Sequence, residues 1–404
     1  MYKRTSFFVI VYLLIQMTTW AQSEKMLFQT KVLDNGSSLK AFVYIRSHLP
    51  NERYSAASFL EKYTVRYAVY EEYGGATPVV EARTLDLSPL TLQNYKQGIY
   101  FSIDINKLSL PFAILWVQVI NNNSKQINRK DIPLYFTQTQ LGQAFGVFDP
   151  TGTHPNFHDY VVSGESFKIK DLTNSAAKLY VNRFQQDYDA ALAPMYLNKP
   201  TTNATMQMDS SFVVNSSDVL TLEKEGIYLF RKDTTDFYGI GLRVEPKGFP
   251  KLTQKEQLVK PLTYISTVEE LQKLKSASDL KKELDRFWLR LTNGKVALAR
   301  KTIKDYYQRI KLSNIMFTTF KEGWKTDMGM IYTIFGYPNE INYGKDVVQW
   351  TYKGGGKNFN QVSFKFRRKA NQFTQEHYTL VRYVEYEPIW YPVVELWRKG
   401  VATR

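Results

Sequence analysis

Four segments in the first third of the chain carry apolar residues at every second position. In KYTVRYAVYEEY the set is Tyr63, Val65, Tyr67 and Val69; in IYFSIDI it is Ile99, Phe101, Ile103 and Ile105. LKAFVYI and AILWVQVI repeat the pattern. Successive side chains of a strand point to opposite faces, so a period of two marks strands with one buried and one wetter face. Asn35-Gly36, Gly74-Gly75 and the run Asn121-Asn122-Asn123 supply turns. Such strands bury their apolar faces by stacking sheets, which predicts an Ig-like antiparallel β-sandwich over residues 25–145. ESFKIKDL, AAKLYVNRF, SFVVNS and GIYLFRKD predict a second sandwich in tandem over 146–250, with Pro194 and Pro200 in a loop.

The first residues set the expected compartment. Lys3 and Arg4 precede an apolar run from Phe7 to Ile15, and Thr19-Trp20-Ala21 stands before Gln22 as a cleavage site. That reads as a secretory signal peptide over residues 1–21, with an apolar run too short for a comfortable membrane span. The chain has 0 Cys. An exported chain without cysteine has no disulfide staple, lipid-attachment thiol or thiol nucleophile, so its stability rests on its own core.

Charge is divided unevenly. The net charge is +15, of which residues 1–250 supply +2 and residues 251–404 supply +13. The first +2 belongs to Lys3 and Arg4. An anionic partner is therefore expected at the C-terminal part.

FPKLTQKEQLVKPLTYIST reads as an extended linker, assigned to residues 251–264. An α+β domain is expected over 265–404: three helices, then a small antiparallel sheet. Thr267-Val268-Glu269-Glu270 starts the first helix. Asp279 to Leu291 gives the second, with Leu280, Leu284, Phe287, Trp288 and Leu291 on one face. The third runs from about Lys295 to Phe320 and carries Arg300, Lys301, Lys304 and Lys311 opposite its apolar stripe. VVQWTY, QVSFKFR and YTLVRYVEY then alternate as strands, and QVSFKFR with its neighbours displays Lys365, Arg367, Arg368 and Lys369.

Few motifs carry chemistry. Lys353-Gly354-Gly355-Gly356-Lys357 lacks the spacing and hydroxyl residue of a phosphate loop and reads as a hairpin. His154-Pro155-Asn156-Phe157-His158-Asp159 places two imidazoles close together, but Pro155 opposes a helix that would align them, and the stretch reads as a surface loop. Nucleophile-elbow and zinc-protease signatures are missing. The densest stretch is KEGWKTDMGMIYTIFGYPNEI, residues 321–341. Glu322 and Asp327 are its candidate carboxylates. The structural reading makes Thr326 or Asp327 the start of a helix ended by Gly336 and stopped by Pro338.

GWKTDMGMIYTIFGYPNEI resembles the signature of the GWxTD-domain family, exported envelope proteins found largely in the Bacteroidota. The matching residues are Gly323, Trp324, Thr326, Asp327, Gly329, Gly336 and Pro338. FPKLTQ, PLTYISTVEE, RFW and ARKTIKDYYQRIKLSN extend the likeness over about residues 226–404. The run from FGYP to VSFKF is also similar in spacing to the small lipoprotein of the outer-membrane β-barrel assembly machine, whose lipidated Cys has no counterpart here. The resemblance implies no enzymatic activity. The expectation is a non-enzymatic scaffold or accessory subunit of an envelope assembly, in outer-membrane protein biogenesis or secretion. It would lie in the periplasm or on the periplasmic face of the outer membrane. It would dock through Arg300, Lys301, Lys304, Lys311, Lys365, Arg367, Arg368 and Lys369 on protein partners, with anionic lipid or lipopolysaccharide as further contacts. No catalytic residue, metal, cofactor or nucleic-acid partner is expected. The alternative is a glycan-binding protein or a carboxylate-dependent hydrolase of envelope polysaccharide, drawing on the stock of Tyr, Phe and Trp.

Overall fold

The alternating segments become strands whose apolar sets meet. In the computed structural model, Met26–Asp34, Ser38–Ser47, Gly98–Asn106 and Gln93–Tyr95 form one antiparallel sheet in that spatial order. Pro78–Thr84, Tyr63–Tyr70, Phe112–Asn121 and Ile127–Tyr135 form a second. Val65, Val69, Ile99, Phe101, Ile103, Ile105, Leu115 and Val117 share one core cluster drawn from both sheets. Each such side chain contributes about 1.5–3 kcal/mol by leaving water.

The structure describes residues 25–49, 52–137, 141–173, 175–185, 188–197, 206–354 and 359–401. The signal segment 1–21, Pro200, and Gly355, Gly356 and Lys357 of the glycine-rich loop lie outside the described residues. Among the described residues, no helix is long and apolar enough to cross a membrane.

The next region is again β. Val219–Thr221, Ser166–Lys170 and Gly146–Phe148 make three strands. Tyr160–Val162, Ile240–Glu245, Gly226–Arg231, Lys178–Phe184 and Met208–Asn215 make five, with one parallel pair between the first two. Phe167, Ile169, Leu179, Val181, Tyr228 and Phe230 share its core.

The stretch 154–159 is not the surface loop expected: Asn156, Phe157 and His158 are buried. The first sheet turns Phe42, Tyr44 and Tyr100 outward, an aromatic face that must be covered. Phe157 stacks on Tyr44 at 5.1 Å, and the Tyr100 hydroxyl lies 2.9 Å from His154 Nδ1. The two β regions are thereby packed together.

The expected extended linker is also corrected. Lys255–Val259 is an α-helix and Lys260–Tyr264 a 3-10 helix, and Val259, Leu262 and Tyr264 are buried. Pro261 sits at the start of the 3-10 turn, where no amide donor is needed. The helices Val268–Lys275, Leu280–Leu291 and Val296–Phe317 follow. Thr267 and Glu270 cap the first reciprocally, at 2.9 and 3.2 Å.

A four-stranded antiparallel sheet of Glu340–Gly344, Val347–Lys353, Gln361–Arg368 and Tyr378–Leu380 closes the core. Trp350, Tyr352, Phe364 and Phe366 face the helices. YTLVRYVEY is a strand for only three residues. Val384–Tyr386 turns as a 3-10 helix and Glu387–Arg398 is α-helical, burying Trp390, Val393, Val394 and Trp397 at helical spacing. The chain is thus a multi-sheet, mainly antiparallel β protein with a helical C-terminal region and a small sheet.

Candidate functional site

The motif forms where the long helix Val296–Phe317 ends. Thr318 caps that end: its hydroxyl donates to Asn314 O at 2.7 Å and accepts from Gly323 N–H at 2.9 Å. The chain then doubles back onto the helix. Asn314, fully buried, accepts from Trp324 N–H at 3.1 Å and donates from Nδ2 to Pro250 O at 3.0 Å. A Cβ on Gly323 would stand 2.0 Å from Ser313 O, and one on Gly329 would stand 1.9 Å from Gly323 O. Both positions need glycine because two backbones touch there.

Thr326 is the N-cap of the helix Asp327–Phe335. Its Oγ1 accepts from Gly329 N–H at 2.9 Å and donates to Gly323 O at 2.7 Å. The hydroxyls of Ser313 and Thr333 both bond Gly329 O, at 3.2 and 2.7 Å, so the two helices share a small buried polar contact. Gly336 ends the motif helix at φ +82°, in the left-handed region. Its carbonyl accepts from the Tyr352 hydroxyl at 2.9 Å. Pro338 follows, and its carbonyl accepts from Lys25 Nζ at 3.2 Å.

Asp327 is 4% exposed. One carboxylate oxygen accepts from Leu380 N–H at 2.9 Å, and the other pairs with the Arg382 guanidinium. Arg382 Nη1 in turn donates to Leu192 O and Ala193 O at 2.7 Å each. Ala191 N–H donates to Lys325 O at 3.0 Å. A strap from the second β region is thereby tied across the motif. Tyr264 closes it from the side, donating to Trp324 O at 2.9 Å; burial, then the Asp327 charge, holds its phenol well above the usual range.

Glu322, the other candidate carboxylate, is equally engaged. It accepts from Trp324 Nε1 at 2.5 Å and from Lys325 Nζ at 3.0 Å. Beside it, Glu245 pairs with Arg243, and burial raises the Glu245 carboxyl above its ordinary range. Arg243 also donates to Phe320 O at 2.9 Å. The arrangement neutralises charge within a buried contact and presents no open carboxylate pair in the motif.

The basic residues are not on one surface. Arg300, Lys301 and Lys304 are exposed on the long helix, where Lys301 pairs with Asp305 at 2.7 Å. Lys311 is half-buried. Lys365 and Arg367 project from the face of the sheet opposite Phe364 and Phe366, away from the helices, with Lys369 exposed beyond them. Arg368 departs from the docking role: it bonds Asp346 at 2.7 Å and the Tyr135 hydroxyl at 2.5 Å, joining the last sheet to the first β region.

Local pattern gave no sign of Arg382, Asn314 or the strap. Nor did it reveal a cavity of about 550 Å³ where the three regions meet, walled by Phe157, Leu242, Met316, Phe317, Trp350 and Phe373 among others. A comparison with curated proteins found no match. Residues 226–399 match the family model described as the GWxTD domain, a span that opens on the strand Gly226–Arg231 and closes just past the last helix. The chain is a GWxTD domain-containing protein.

Proposed function

We propose that this protein is a non-enzymatic scaffold or accessory subunit of a cell-envelope assembly, serving outer-membrane protein biogenesis or secretion. It is exported to the periplasm or the periplasmic face of the outer membrane. Its two β regions act as Ig-like sandwich arms in tandem, and its basic C-terminal module docks on an acidic protein or lipid surface. The observation that carries the reading is the use made of the motif. Asp327 is buried and bonded to a backbone N–H and an internal guanidinium, and Glu322 is tied to Trp324 and Lys325. A hydrolase of envelope polysaccharide needs two carboxylates free to reach substrate, whereas these hold helix, sheet and strap together.

Exposed Lys365 and Arg367 make the docking claim testable. Reversing both to Glu leaves every described hydrogen bond of the motif intact. The expected outcome is loss of partners that co-purify with the chain from membranes, with an unchanged thermal midpoint. Undiminished co-purification overturns electrostatic docking through this sheet face. Arg368 is left in place because its bonds to Asp346 and Tyr135 would confound the result.

A further inference from the structure

Among the described residues, the strand Met26–Asp34 is the edge of its sheet, paired only with Ser38–Ser47. In an antiparallel pair, both peptide groups of a residue point toward the partner strand, and those of the next residue point away. Four contacts fix which residues do which here. Asn35 N–H bonds Ser38 O across the turn, and Lys25 O accepts from His48 N–H, so the odd-numbered positions face the partner. Met26 faces outward: its N–H donates to Asn128 Oδ1 at 3.2 Å and its carbonyl accepts from the Tyr337 hydroxyl at 3.0 Å. Phe28, Thr30 and Val32 therefore also turn N–H and C=O outward. Among the described residues, none bonds these outward groups.

The cavity of about 550 Å³ runs along this strand from Leu27 to Leu33. Its opposite walls come from the second β region and from the C-terminal core, at Phe157, Leu242, Met316, Phe317, Trp350 and Phe373. Lys130, on the edge strand of the other sheet, also lines it. Its ammonium rests on the Tyr343 ring at 4.7 Å, and among the described residues no carboxylate lies in ion-pair contact with it.

We propose that this cavity receives an extended segment of another polypeptide, which adds a strand to the edge at Phe28, Thr30 and Val32. Three features select that occupant. Outward peptide groups at alternate positions match a second peptide backbone; an acyl chain would cover them without bonding them. Apolar walls take the side chains that point off the added strand. Lys130 supplies a cation for a carboxylate, either an acidic side chain or a chain terminus. The site lies apart from Lys365 and Arg367, so peptide binding should survive their reversal.

The test uses the full chain and a phage-displayed pool of random heptapeptides. Peptides selected on the wild type are then synthesised with a fluorophore and titrated by anisotropy. They should alternate apolar residues and carry a carboxylate. Thr30→Pro removes one outward N–H and no bond to the neighbouring strand, a position where an edge tolerates proline. It should weaken binding at least tenfold with an unchanged melt. Lys130→Met should weaken acidic peptides and leave their amide analogues unaffected. Hydrogen exchange on the wild type gives an independent reading: the amides of Phe28, Thr30 and Val32 should slow on peptide addition. Equal binding to Thr30→Pro, unslowed amides, or a pool that enriches nothing overturns the proposal. Slowing by a co-purified lipid or oligosaccharide in place of any peptide overturns it as well.

Discussion

The motif joint and the three-way junction treat backbone polar groups in opposite ways. At the joint the carbonyls of Ser313 and Gly323 meet glycine at distances no Cβ permits, and side chains of Asn314, Thr318 and Thr326 take up the amides. At the junction, the outward peptide groups of Phe28, Thr30 and Val32 have no described partner, although they stand among aromatic walls. A single chain turning back on itself can match donor to acceptor locally. Three regions meeting at their edges cannot all pair, and the mismatch leaves a cavity.

Glycine substitution breaks the comparison most sharply. Gly323→Ala drives a methyl into the Ser313 carbonyl, which is backbone and cannot step aside. We expect a loss of about 3 kcal/mol or more in urea unfolding, at or beyond the upper end of overpacking costs. Gly142→Ala, on the cavity wall within the helix Leu141–Ala144, meets nothing within 4 Å and should be neutral or slightly stabilising. Equal losses at both sites would erase the distinction. Next in size is Asp327→Asn. The amide can still accept from Leu380 N–H but leaves the Arg382 guanidinium buried without its counter-charge, a loss of about 2–3 kcal/mol. A joint loses stability in this variant. A variant with wild-type unfolding and lost partner binding or activity would reassign Asp327 to function.

The parts legible in the sequence were those with a short-range cause. Alternation at Ile99, Phe101, Ile103 and Ile105 predicts a buried set, and those residues are 0–4% exposed. Thr326 as a cap and Gly336 as a stop follow from local helix chemistry. Arg382 does not: it sits in YTLVRYVEY, whose alternation reads as strand, and its role depends on Asp327 and the strap arriving from elsewhere. Trp390, Val393, Val394 and Trp397 have helical spacing, but two prolines in the same stretch obscure it. Arg368 reads as surface charge because Tyr135, its partner, is far away in the chain. The cavity has no signal of its own, since its walls come from three regions.

The smallest effect expected sharpens the comparison through pH. His158 is buried at the junction, stacked on Tyr160 at 5.0 Å, and its Nδ1 accepts from Gln29 Nε2 at 3.0 Å. The same amide nitrogen lies 3.2 and 3.1 Å from Phe157 O and Ile315 O, so its two hydrogens are shared among three acceptors and Gln29 bridges all three regions. Burial holds the imidazole well below its ordinary range, and Lys96, Arg46 and Lys31 push the same way. A base whose folded pKa is depressed binds its proton more readily when unfolded. The stability it contributes is complete above the unfolded histidine pKa and falls as pH drops through it, by at most about 1.4 kcal/mol per pH unit. His48 is lowered by burial too, so the informative quantity is a difference between proteins. Urea midpoints at about pH 7.5 and about pH 5.5 should diverge more for wild type than for His158→Gln, whose amide does not titrate. The joint variant Gly323→Ala, which removes no titratable group, should keep the wild-type pH dependence. If His158→Gln keeps it too, the neutral imidazole is not what holds the junction closed.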